Sequence, residues 1–218
     1  MSAEAPLDTR DILIVHSAMC NAFDECAALI RANPTPSPAR VKFLADHADF
    51  ILKLLHGHHE GEDLLLYPLL EERVPEQAEH TEDVDREHLR VANAIDAASF
   101  ECVEWRTRPS AERAETLAAA LVNVKDTLRS HLDDEERDIV PLAAVTLTQK
   151  EWDALAKHGK QEISLAKQPI TFGMLTEALD KPDLVFMKRH LPLPVRAFYG
   201  VAIQRPWSRY SNTLRNGT

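Results

Sequence analysis

Along the first two thirds of the chain, apolar residues recur three and four positions apart, the spacing of one helical face, in four runs separated by proline-bearing breaks. In the first, Ile12, Leu13, Val15, Met19, Phe23 and Ile30 follow Pro6, Asp8 and Thr9 and stop at Asn33-Pro34-Thr35-Pro36-Ser37-Pro38. The second runs from Pro38 through Phe43, Phe50, Leu54 and Leu55 to Arg73-Val74-Pro75. A third starts near Pro75-Glu76 and carries Val91, Ile95 and Phe100 toward Thr107-Arg108-Pro109. The fourth opens at Ser110, a residue type that caps helix N-termini, and passes Leu117, Leu121, Val124 and Leu128. Nothing in this stretch reads as a strand pair, so the fold class is all-α. Short connections make neighbouring helices antiparallel, and the pattern predicts an up-down-up-down four-helix bundle over residues 8–145.

A helical C-terminal extension over 146–218 follows. Thr148-Gln149-Lys150-Glu151 has the form of a capping box and opens a helix through Trp152, Leu155 and His158. A second short helix is expected around Phe172 to Leu179. The remainder, from Leu184-Val185-Phe186-Met187 through Leu191-Pro192-Leu193-Pro194 to Arg205-Pro206-Trp207, is apolar, proline-punctuated and basic. It is expected to pack across the bundle, with dimerisation or a protein partner as the alternative.

Chemistry enters with a pattern written twice. His58-His59-Glu60-Gly61-Glu62-Asp63 and His131-Leu132-Asp133-Asp134-Glu135-Glu136 both read His-x-x-x-Glu-acid, and both are followed at one offset by Pro-Leu, at Pro68 and Pro141. Residues four apart share a helix face, so each segment offers an imidazole and a carboxylate together. The two prolines either kink the helices about a turn and a half beyond each Glu or end them.

His16 and His88 complete the pattern. His16 and His58 lie about 19 and 21 residues from the first connection, His58 and His88 about 16 and 13 from the second, and His88 and His131 about 19 and 22 from the third; at about 1.5 Å per residue these levels agree within roughly a turn. Four helices thus bring one histidine each to a common level. Neutral imidazole and carboxylate suit iron, manganese or zinc. The expected ligand set is His16, His58, Glu62, His88, His131 and Glu135, an inventory that fits two metals better than one.

Position sorts the other polar residues. His47 lies about 16 Å from His58 along the axis and His80 about 12 Å from His88, too far to share an ion. His56 points about 200° away from His58. His59, about 100° from His58, either lines the edge of the site or occupies an ordinary helix flank. Cys20, one turn after His16, is a ligand or reactive thiol on one reading and a small buried apolar side chain on the other. Asp85, three residues before His88, is a further carboxylate or an exposed helix charge.

A net charge of −10 argues against nucleic-acid binding, which needs a cationic surface. The charge is uneven. From Lys181 onward the chain carries Lys181, Lys188, Arg189, Arg196, Arg205, Arg209 and Arg215 against Asp183 alone, a basic patch expected to dock on the acidic body or, alternatively, to serve a partner or anionic ligand. Cys20, Cys26 and Cys102 are an odd set without C-x-x-C spacing and read as reduced thiols. The N-terminus lacks a basic segment followed by an apolar one, and no uninterrupted apolar stretch approaches the roughly 18 residues of a membrane span. A cytoplasmic location without a membrane span is the expectation.

The motifs His58-x-x-x-Glu62-Asp63 with Leu-Tyr-Pro following, and His131-x-x-x-Glu135-Glu136 with Val-Pro-Leu following, together with His16 and His88, resemble those of the hemerythrin-like, HHE cation-binding proteins. The resemblance covers roughly residues 8 to 145. It implies a non-haem di-iron centre with Glu62 and Glu135 bridging and the histidines as terminal ligands. It also implies oxygen or another small diatomic molecule as the ligand.

One departure qualifies that implication. Oxygen-carrying hemerythrins have a second histidine on the third helix in a His-x-x-x-His pair, whereas the positions four from His88 are Val84 and Ala92. In this the chain looks more like iron-sensing relatives than like the carriers. The missing imidazole leaves a coordination position open, or His59 or Asp85 fills it. Three functions follow as expectations: sensing, storage or redox protection through a bound small molecule; oxidation or oxygenation of an organic substrate; or an interaction module whose metal is structural.

Overall fold

The computed structural model describes residues 7–33 and 36–217, with the side chains of all of these except 77–83 and 85. Most of the described residues are helical, with no strand among them. Four long helices carry the first two thirds: α1 (Arg10–Ala32), α2 (Pro38–Leu65), α4 (Ala78–Thr107) and α5 (Ala111–Asp134), with the short α3 (Tyr67–Arg73) between the second and third. Local chemistry sets their starts. Ser37 accepts from Arg40 N and Ser110 from Arg113 N, satisfying amide donors that a helix leaves unpaired.

Both prolines bend the chain rather than end it. Pro68 has no N–H to continue the backbone ladder, so α2 breaks at Leu66 and resumes as α3. After Asp134 a five-residue π-helical segment, Glu135–Ile139, precedes α6 (Val140–Thr146), with Pro141 in its first turn. Such an insertion rotates the residues around it and is common at functional sites. Here it begins on the carboxylate of the second repeated motif.

Among the long helices, α1 packs on α2 and α5, and α4 packs on the same two. Phe23, Cys26, Ile30, Leu44, Leu55, Val91, Trp105, Leu117, Leu121 and Leu128 form the core between them. By length and composition α1 could cross a membrane, but its apolar face is spent on this core. At the end beyond the motifs a second apolar cluster joins Ile12, Leu66, Tyr67, Leu70, Ile139 and Val140.

Five further helices follow: α7 (Gln149–Gln161), α8 (Gln168–Thr176), α9 (Lys181–Lys188), α10 (Leu193–Ala197) and α11 (Arg205–Asn216), the last preceded by a π-helical segment at Gly200–Gln204. The capping box at Thr148 and Glu151 is formed in both directions. α7 lies on α2 at Gly61, where an added Cβ would stand 3.0 Å from His158 Cδ2. α8 lies on α1 and α11, and Ile170, Trp207 and Leu214 enter the main core. Arg40 closes α11 by donating to the carbonyls of Thr213 and Leu214.

Among the described residues, the basic tail forms close ion pairs with acidic groups at Arg215, and Arg189 stands near enough to Asp8 to help lower its carboxyl pKa. Arg215 pairs with Glu25 of α1 and with Glu177. Lys188 lies over the Tyr199 ring, and Arg189, Arg196, Arg205 and Arg209 are at the surface or on its edge. Apolar packing of Trp207, Tyr210 and Leu214, more than charge, seats α11.

Candidate metal centre

All six residues of the expected ligand set come together, and a seventh joins them. The ligand atoms of His16, His58, Glu62 and Glu135 lie within 4.8 Å of one another, and so do those of His59, Glu62, His88 and His131. Glu62 belongs to both groups. Glu135 also reaches across, with Oε2 at 3.5 Å from His16 Nε2 and 3.8 Å from His131 Nε2. Every member is buried except His58, whose side chain keeps 15% exposure and marks the side nearest solvent.

His59 fits because of where Glu62 sits on α2. His58 and His59 precede it by four and three residues, placing the two imidazoles about 40° and 60° to either side of the carboxylate. Each therefore faces a different group while the Glu serves both. His59 stacks on His88 with ring centres 4.5 Å apart and meets His131 edge-on at 5.2 Å.

A further ring of carboxylates orients the imidazoles. Nδ1–H of His16 donates to Glu136 at 3.0 Å, that of His88 to Asp63 at 2.7 Å, and that of His131 to Glu87 at 3.1 Å. This explains the acid after each repeated Glu: the Glu turns inward, and its neighbour holds a histidine on an adjacent helix. With the proton fixed on Nδ1, the Nε2 of each ring presents a bare lone pair to the interior.

The consequence is plain at His88 and His131, whose Nε2 atoms stand 3.2 Å apart. Both Nδ1 atoms are committed as donors, so neither Nε2 has a proton to share with the other. Two lone pairs held that close require something positive beside them. His16 Nε2, His58 Nε2, His59 Nε2 and both oxygens of Glu62 and Glu135 are likewise buried without a hydrogen-bond partner among the described residues. His58 Nε2 lies 3.0 Å from Glu62 Oε1 without hydrogen-bond alignment. Unsatisfied buried groups cost on the order of 1–3 kcal/mol each. This donor set fits cations, which satisfy lone pairs from several directions at once.

Electrostatics agree. Burial, followed by the charges of neighbouring histidines, holds His58 and His59 well below the ordinary imidazole range and His131 down to about 3, leaving them neutral, the form that ligates. Burial and the charge of Glu135 hold Glu62 well above the usual carboxylate range. Burial also raises Glu135, with His16 and His88 opposing. Carboxylates crowded this way without a counter-ion resist ionisation, and a divalent cation reverses that balance.

The family model of the hemerythrin HHE cation binding domain matches residues 9–143. The chain belongs to that family. No curated protein and no solved structure matches it. Within this hemerythrin domain the third-helix position that carries a second histidine in the oxygen carriers is Val84 or Ala92, and Val84 is buried in the apolar cluster. His59 of α2 is the additional imidazole beside His88. Cys20 belongs to the apolar core and to neither ligand group, and burial pushes its thiol pKa up, away from the thiolate form. Asp85 and His80 lie outside the described side chains.

Glu87 carried no signal of its own in the sequence, because it serves a histidine on another helix. Asp63 and Glu136 were visible as the repeated acid but not as holders of imidazoles. His47 sits away from the centre, buried and hydrogen-bonded to the Tyr210 hydroxyl at 3.0 Å.

Proposed function

We propose that the chain is a non-haem di-iron protein of the hemerythrin type that engages oxygen or a related small molecule for sensing, storage or redox protection. The observation that carries this reading is the pair of ligand groups sharing Glu62, with opposed lone pairs at His88 and His131. On this reading α1, α2, α4 and α5 form an up-down bundle, supported by their pairwise packing, and 146–218 is an extension seated on it. His16, His58, His59, His88 and His131 would hold the two ions, with Glu62 and Glu135 shared between them. Iron is preferred over manganese or zinc because of the family.

When bound, a di-iron pair supplies redox chemistry and a position for a small ligand. The chain's own residues do the rest. Asp63, Glu87 and Glu136 orient the imidazoles, the apolar cluster around Leu66 and Ile139 excludes water, and Glu62 and Glu135 stand where they would serve both ligand groups. Three unpaired, buried cysteines support a reducing, cytoplasmic setting.

A cavity of about 520 Å³ between α1, α8 and α11 is lined by Leu13, Glu25, Met174, Trp207 and Arg215 and by none of the ligand side chains. It lends no support to an oxidase with its substrate beside the metals.

Metal analysis of protein produced with ample iron tests the reading, with about two irons per chain expected and both lost in a His58→Ala plus His131→Ala double variant. Oxygen added to the anaerobic ferrous protein then separates the functions. Reversible charge-transfer bands mean binding, irreversible oxidation means sensing or redox turnover, and no response means a structural metal. Negligible iron overturns the proposal.

A further inference from the structure

Tyr67 is the first residue of α3, immediately after the break at Leu66. Its ring meets the imidazole of His88 edge-on, centres 5.5 Å apart, and packs with Leu66, Leu70, Ile139 and Val140. A phenylalanine would fill that space equally well, so packing does not account for the hydroxyl. Yet the hydroxyl is buried and has no hydrogen-bond partner among the described residues.

A cation satisfies the lone pairs of the neighbouring ligands but does nothing for an O–H. A phenol hydroxyl carries its own proton, and no carboxylate of the centre accepts it: Glu62, Asp63, Glu87 and Glu135 make no hydrogen bond to Tyr67. The phenol is therefore a donor, fixed in place by a ring contact to an imidazole that Asp63 itself holds still. What it lacks is an acceptor. The apolar wall around the ring, Leu66, Leu70, Ile139 and Val140, offers no acceptor either, so the hydroxyl calls for an electron-rich atom to face it.

We propose that Tyr67 donates a hydrogen bond to a small anion held at the metal centre, the class that includes hydroxide and azide. The proposal rests on the di-iron reading above. It makes Tyr67 a positioning residue for the exogenous ligand, distinct from the residues that hold the ions.

The test uses full-length, iron-loaded ferric protein with azide as the probe, comparing wild type and Tyr67→Phe. Iron content is expected to be equal, with azide binding weakened about tenfold in the variant, the loss of one hydrogen bond to a charged group. The azide infrared stretch of the wild type is expected to shift on exchange into D2O, a measurement that needs no variant. Equal azide affinities with no solvent isotope shift overturn the role of Tyr67 and leave the di-iron reading standing. So does iron-loaded wild type that fails to bind azide. A tyrosinate-to-iron band in the resting ferric protein, absent from Tyr67→Phe, overturns the donor role by making Tyr67 a ligand. Wild type that holds no iron overturns both readings.

Discussion

Asp63 accepts from His88 Nδ1 at 2.7 Å, joining α2 to α4, although its chain neighbour Glu62 points into the centre between the two ligand groups. Adjacent acids thus take adjacent tasks, one facing the ions and one orienting an imidazole. Removing the second task leaves the ligands in place but lets the ring rotate and lowers its basicity. Asp63→Asn is expected to weaken metal binding about 10- to 100-fold without changing stoichiometry at saturation. Competition against a chelator of known affinity measures this, and unchanged affinity would show that the bond has no orienting effect.

The sharing of Glu62 predicts unequal stoichiometries. His59 belongs to one group and His16 to the other, while Glu62 belongs to both. His59→Ala and His16→Ala are each expected to retain about one metal per chain and Glu62→Ala close to none. Metal analysis after gel filtration decides. A His59→Ala protein that keeps both ions with wild-type affinity would remove His59 from the centre.

Without metal the same carboxylates destabilise the fold. Glu62 and Glu135 have pKa values raised in the folded chain, so each contributes stability when protonated and loses it as pH rises above the ordinary 4.5. At pH 7 the metal-free Glu62→Gln protein should be more stable than the metal-free wild type by about 1–3 kcal/mol in urea unfolding. The metal-loaded comparison is expected to reverse in sign, because only the wild type gains the full binding energy. A metal-free wild type at least as stable as the variant would contradict the picture of uncompensated buried charge.

Much of this was legible because helical periodicity is local. The i, i+4 spacing placed His58 with Glu62 and His131 with Glu135, and counting from the connections brought His16 and His88 to the same level. The place of His59 is legible only from Glu62, whose direction lies between those of His58 and His59; relative to His58 alone it is turned away by about 100°. The pairing of Glu87 with His131 crosses from α4 to α5 and leaves no periodic trace. The π-helical segment at Glu135–Ile139 depends on tertiary packing around Ile139 and Val140 and has no signature in spacing. Pro68 and Pro141 signalled an interruption, but only packing beyond them shows that the helices resume.

Gly173 on α8 gives a separate handle on the extension. A Cβ there would stand 2.3 Å from Trp207 Cβ, closer than van der Waals contact permits, so α8 and α11 meet only because this side chain is absent. Gly173→Ala must push the helices apart and withdraw Trp207 from the core. A loss of about 1–3 kcal/mol in unfolding free energy is expected, with metal stoichiometry intact since no ligand lies on α8 or α11. Tryptophan emission reports the exposure of Trp207. A variant with unchanged stability would show that the helix contact yields without cost.

His47 sets an acid limit that does not depend on the metal. It is 1% exposed, shares a hydrogen bond with the Tyr210 hydroxyl, and is held down to about 3 by burial and then by the charges of Lys167 and Arg40. In the unfolded chain its pKa returns to the ordinary imidazole value of 6.5. Between those values the unfolded chain takes up a proton that the folded chain refuses, so this contribution is whole above pH 6.5 and falls as pH drops toward 3. At pH 5 the single residue accounts for about 2 kcal/mol, the one and a half units below its unfolded pKa at roughly 1.4 kcal/mol each. His131 titrates in the same range when the centre is empty, so both proteins are compared metal-loaded and the difference between them isolates His47. His47→Gln removes the titration while keeping a polar group near Tyr210. Its unfolding free energy should therefore drop by about 2 kcal/mol less than that of wild type between pH 7 and pH 5, whatever its stability at pH 7. Equal drops in the two proteins would show that His47 takes a proton in the folded state, and that Tyr210 and its surroundings yield to admit the charge.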